Sequence, residues 1–116
     1  MKNTIYCPAE RAIYFLGGKW KIRILFSLLN NKIIRFGELK KGLKTITQQM
    51  LSKQLKELEI DGIVNRKVYQ VVPPKVEYSL TEFGFSVMPI LKSFSDWNKK
   101  NIRTISLKLN KNFEED

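Results

Sequence analysis

Hydrophobic and polar positions change period along this chain, and each change marks an element. From Pro8 to Leu16 the apolar residues Ala12, Ile13, Phe15 and Leu16 suit a helix opened by proline, which sacrifices no hydrogen bond in a first turn. Gly17-Gly18 ends it. Trp20 to Leu29 predicts a second helix, with Trp20, Ile24, Leu25, Leu28 and Leu29 on one buried face. Asn30-Asn31 reads as a turn and Ile33-Ile34-Arg35 as a very short strand. Phe36 to Leu43 predicts a third helix that turns Phe36, Leu39 and Leu43 inward.

The next helix organises the rest. Thr45 with Gln48 would complete a capping box, but Thr47 is the better cap, because Ile46 then stands opposite Leu51 as half of a hydrophobic staple. Asp61-Gly62 ends the helix, since glycine enters the left-handed region cheaply. Wound at roughly 100° per residue, Leu51, Leu55 and Leu58 form a narrow apolar stripe. Gln49, Ser52, Lys53 and Lys56 stand opposite, with Thr47 and Gln48 in the first turn. All six can donate hydrogen bonds and none is acidic. Glutamine matches the edge of adenine, lysine matches guanine or phosphate, and the hydroxyls match either. Such a helix fits a DNA major groove, although a plain amphipathic surface helix would show the same two faces.

Beyond Gly62 the period becomes two. Ile63, Val64, Val68 and Val71 lie in one run; Val76, Tyr78 and Leu80 alternate with Lys75, Glu77 and Ser79 in the next. Pro73-Pro74 bars ladder bonding between them. The result is a β-hairpin bearing Arg66, Lys67 and Lys75. Directly after a recognition helix it reads as a wing whose cations meet phosphates, rather than as a simple cover over the core. Thr81 then caps a long final helix that Pro89 bends. Phe83, Val87, Ile90, Phe94 and Trp97 recur at the spacing of a helix seam, and Phe85, Met88 and Leu91 broaden it. That breadth predicts burial against a second copy; the plainer alternative is packing on the chain's own domain.

Composition narrows the choice. At 116 residues, 43% of them hydrophobic, the chain suits one folded domain. Lys and Arg number 21 against 11 acids, a net charge of +10 that favours a polyanionic partner. Five lysines and no acid lie between Lys40 and Lys56, around the candidate recognition helix. The chain has no histidine and one cysteine, so the commonest general base and the commonest metal ligand are missing. No phosphate loop, nucleophile elbow, secretory leader or membrane-length apolar run is present, and an enzyme is not expected. A reducing cytoplasm is the expected compartment.

In this order, Cys7-Pro8, Gly17-Gly18-Lys19-Trp20, Arg35-Phe36-Gly37-Glu38-Leu39, Met50 to Leu55, Leu58 to Val64 and Val72 to Thr81 resemble the HxlR family of bacterial winged-helix regulators, relatives of the MarR group. Each motif is weak alone; their order and spacing are specific. The resemblance implies a homodimer that binds operator DNA and regulates transcription, with repression the expected direction. Family members often carry arginine where Lys53 and Lys56 stand nearby, so base preferences do not transfer. Cys7, before Pro8 at a helix start and one turn from Arg11, is placed where a thiolate is favoured. Some members of the family look like sensors of oxidants or electrophiles through a cysteine here. The alternative is a half-buried small apolar residue. With no second cysteine, sensing would need a disulfide between subunits or a mixed one with a small thiol.

The expected fold is therefore mainly α with a small β-hairpin, a winged helix-turn-helix with long terminal dimerisation helices. One domain spans 1–116, with a core of about 7–98, an N-terminal arm at 1–6 and a helical extension or tail at 99–116, its acidic end Glu114 to Asp116 disordered. Thr47, Gln48, Gln49, Ser52, Lys53 and Lys56 are expected on bases, and Arg35, Arg66, Lys67 and Lys75 on wing and backbone contacts. Ile13, Phe83, Val87, Ile90, Leu91, Phe94 and Trp97 are expected between subunits. The expected partners are duplex DNA and a second copy, without membrane, metal or cofactor, and the effector is left open. A winged-helix protein adaptor that does not contact DNA specifically is the rival reading.

Overall fold

The structure is a computed structural model and describes residues 7–109. The arm at 1–6 and the end of the tail, including Glu114 to Asp116, lie outside the described residues. The chain divides into two compact units, one running to Phe85 and the other beginning at Ser86.

The first unit opens with α1 (Pro8–Leu16) and α2 (Lys19–Asn31), followed by β1 (Ile33–Arg35), α3 (Phe36–Leu43) and α4 (Gln48–Ile60). A hairpin of β2 (Val64–Tyr69) and β3 (Lys75–Leu80) leads to the single turn α5 (Glu82–Phe85). The turn expected at Asn30-Asn31 is instead the end of α2. Asn31 Nδ2 donates to the Ser27 carbonyl at 2.8 Å, and the chain reverses one residue later at Lys32, whose φ is 59°. The hairpin does not stand alone, because β1 pairs antiparallel with β3, giving a three-stranded sheet of order β1-β3-β2.

α4 begins where its cap predicts. Thr47 Oγ1 accepts from the Met50 backbone N–H at 3.1 Å, and both ends of the expected staple, Ile46 and Leu51, are buried. Gly62 leaves the helix at φ 77°, its N–H donating to the Glu59 carbonyl at 3.0 Å. Leu51, Leu55 and Leu58 are fully buried, with Ile24, Leu25 and Leu28 of α2, Leu39 of α3, and Ile63 and Val64 at the start of the hairpin. Burying those three leucines contributes roughly 5–9 kcal/mol, against about 1 kcal/mol for the cap. The stripe therefore docks the helix, and the cap sets its first residue.

Thr81 does cap a helix, but only α5. Its Oγ1 accepts from the Gly84 N–H at 2.9 Å and donates to the Gly62 carbonyl at 2.6 Å. The expected long helix is broken at Ser86-Val87. Pro89 lies in the first turn of a new helix rather than bending an old one, since a proline there needs no backbone donor.

The second unit consists of α6 (Met88–Lys100) and α7 (Ile102–Leu109). Asn101 separates them, its N–H directed to the Trp97 and Asn98 carbonyls. The extension expected after Asn98 is thus helical through Leu109.

Candidate nucleic-acid interface

The polar side of α4 is open along its length. Thr47, Gln48, Gln49, Ser52, Lys53 and Lys56 are all exposed, and neither lysine forms a close ion pair among the described residues, although the Lys53 charge acts on Glu57. The Thr47 oxygen spends one lone pair as the cap, and its hydroxyl hydrogen is left to donate to a ligand. Glu57, on the flank of the same helix, is held elsewhere. Lys21 Nζ lies 2.9 Å from its Oε1, and Lys21 is a buried residue of α2. That hydrogen bond, then the lysine charge, keeps the Glu57 carboxyl below its ordinary value. Lys21 thus belongs to the packing of α2 on α4, not to a phosphate surface. Its neighbours Lys19 and Arg23 lean on the Trp20 ring, 4.7 and 5.1 Å from its centroid.

The pleat of the hairpin sorts the wing cations onto two faces. Lys67 pairs with Glu77 and Tyr69 with Lys75 across β2 and β3, while Arg35 of β1 pairs with Glu77 from the other side. These side chains share one face. Tyr69 Oη donates to Glu77 Oε1 at 2.9 Å, and Lys75 Nζ lies 3.5 Å from Oε2. The ammonium groups of Lys67 and Lys75 stand 4.9 and 4.6 Å from the Tyr69 ring centroid. The Tyr69 hydrogen bond, with Lys75 and Arg35 nearby, lowers the Glu77 carboxyl. Three cations against one carboxylate leave this face positive. Arg66 does not belong to it. It pairs with Tyr78 and faces α4.

The expected subunit contacts divide differently. Ile13 is 61% exposed and Trp97 64%, and Phe83, Ile90 and Phe94 are also exposed. Val87 and Leu91, at 6% and 1%, are already buried within one chain. A helical repeat alone does not distinguish a face buried within the chain from one left for a partner. Met88, exposed on α6, was expected only to broaden the seam.

Cys7 is exposed at the start of α1. Its thiol points to Glu10 Oε1 at 3.6 Å, whereas the expected neighbour, Arg11, reaches it only through a backbone N–H directed to the Cys7 carbonyl. The described residues hold no group of three or more side chains suited to a metal and no helix long and apolar enough to cross a membrane.

The chain is similar to known proteins over most of its length. Residues 15–106 match the HxlR-like helix-turn-helix family. The uncharacterized HTH-type transcriptional regulator YdeP of Bacillus subtilis is 50% identical over 94 residues, covering 81% of this chain and 73% of that protein. The reduced form of the redox regulator HypR superposes with a TM-score of 0.81 at 44% identity, over 86% of this chain and 98% of that one. The reduced transcriptional regulator YodB of B. subtilis does so with a TM-score of 0.73 at 35% identity, over 82% and 93%. The chain belongs to the HxlR-like helix-turn-helix family of winged-helix transcriptional regulators.

Proposed function

We propose that the protein represses transcription by binding operator DNA as a homodimer, the whole chain acting as one regulator domain in the cytoplasm. The observation that carries the reading is the open side of α4, where six exposed hydrogen-bond donors outnumber the single exposed acid Glu59, with a positive hairpin beside it in sequence. Gln48, Gln49 and Lys53 read base edges. Lys67, Lys75 and Arg35 lie along phosphates, where they fix register without reading sequence. Ile13 on α1 and Phe94 and Trp97 on α6 supply apolar area for a second copy, with Phe83 and Ile90 adding to it. Two copies place two recognition helices on half-sites separated by one or two turns of about 10 bp. Cys7, exposed just before α1, reports oxidants by a disulfide that alters that spacing.

Selection of bound fragments from the source genome tests this directly. The expected result is a palindromic site whose affinity falls steeply between about 50 and 200 mM salt. Recovery of no preferred sequence, or binding indifferent to salt, overturns the reading in favour of a protein adaptor.

A further inference from the structure

Ser52, Lys56 and Glu59 fall on one line of α4, beside the stripe of buried leucines. Arg66 and Tyr78, cross-strand partners, come from the sheet to meet that line. Together they line a solvent-open cleft of about 370 Å³ between α4 and the hairpin. Tyr78 is only 7% exposed, and its hydroxyl has no hydrogen-bond partner among the described residues. Yet no buried side-chain oxygen or nitrogen there lacks a partner, so this hydroxyl emerges at the cleft surface. Neither Lys56 nor Arg66 forms an ion pair among the described residues. Two cations against the single Glu59 carboxylate leave the cleft with a net positive charge.

We propose that this cleft is the seat of one DNA backbone phosphate, held jointly by Lys56 and Arg66 with the hydroxyls of Ser52 and Tyr78. The inference rests on the operator-binding reading above. The strand separating a major groove filled by α4 from a minor groove met by the hairpin must pass between those two elements. Its phosphates are the anions that reach the cleft. Arginine and lysine satisfy phosphate oxygens with charge-assisted bonds, and the hydroxyls complete the shell. Lys56 is therefore not a base reader, and sequence reading falls to Gln48, Gln49 and Lys53. Arg66 acts with the recognition helix, not with the cations on the outer face of the wing.

The test uses the full-length protein and its selected duplex, with folding of each variant checked by thermal melting. Lys56→Gln and Arg66→Gln should each weaken binding about tenfold and lower the salt slope by about one, with base preference unchanged. Tyr78→Phe should weaken binding roughly fivefold with the slope intact. Neutral methylphosphonates placed singly along each strand should identify one phosphate whose neutralisation costs affinity in the wild type and little in either cation variant. Lys53→Gln, which alters base preference instead, is the comparison. Losses that add fully at every methylphosphonate, or a Lys56→Gln variant with shifted base preference, overturn the seat while leaving the operator reading intact. A wild type without sequence preference overturns both.

Discussion

Lys21 and Glu57, 36 positions apart, meet at 2.9 Å between α2 and α4 and form an ion pair whose lysine is buried and whose carboxylate is partly open to water. The recognition helix is thus held to its neighbour by a charge as well as by leucines. Because Glu57 is partly solvated, screening reduces what the pair contributes.

Glu57→Gln should lower stability by about 1 kcal/mol near neutrality, because it leaves the buried ammonium without its counter-charge. Lys21→Met should cost less, since it removes the buried charge altogether. The pH dependence follows from the lowered Glu57 carboxyl. Its contribution is complete above the ordinary value of 4.5 and is lost as pH falls through the lower folded-state value. Denaturant melts should therefore show wild type and Glu57→Gln converging only on the acid side. A gap that stays constant down to the acid limit would rule out the pair as its source.

Glycines 84 and 42 should respond to alanine with opposite signs. A Cβ at Gly84 would run into the Ile63 carbonyl oxygen, a backbone atom that cannot step aside. Gly84→Ala should cost about 1–3 kcal/mol. At Gly42, within α3, a Cβ meets nothing within 4 Å. Gly42→Ala should stabilise by about 0.5–1 kcal/mol through helix propensity. Thermal melts of the two variants, run side by side, check both.

Lys53→Ala and Lys67→Ala separate reading from anchoring. The first should weaken binding and change which bases are preferred. The second should weaken all duplexes alike and flatten the salt slope by about one. Selection from randomised duplexes, repeated for each variant, distinguishes the two effects; identical sites and affinities for both variants would leave α4 and the wing without their assigned roles.

For Cys7 the expected chemistry is oxidation of two thiols, one from each copy, to one disulfide, with two hydrogens passing to diamide. Non-reducing electrophoresis should then show a covalent dimer together with altered operator binding, and Cys7→Ser should abolish both. Operator affinity untouched by diamide would remove this residue from regulation.

What was legible in the sequence is what is decided locally. The Thr47 cap, the leucine stripe and the Gly62 exit each depend on residues within a few positions, and each stands where the pattern places it. The pairing of β1 with β3 and the Lys21–Glu57 contact were not legible, because they join segments tens of residues apart. Two further details had a signal available. Pro89 opens a helix just as Pro8 does, so the place of one proline in a first turn is the guide to the other. Strand alternation alone also places Arg66 opposite in face to Lys67, a division of the hairpin cations already carried by the pattern.

The oxygen of Thr81 joins two places that the chain order keeps far apart. It bonds to the carbonyl that closes the recognition helix and to the amide that starts α5. The foot of the recognition helix and the first turn of α5 are thereby held at one atom, and losing that hydroxyl would loosen both together.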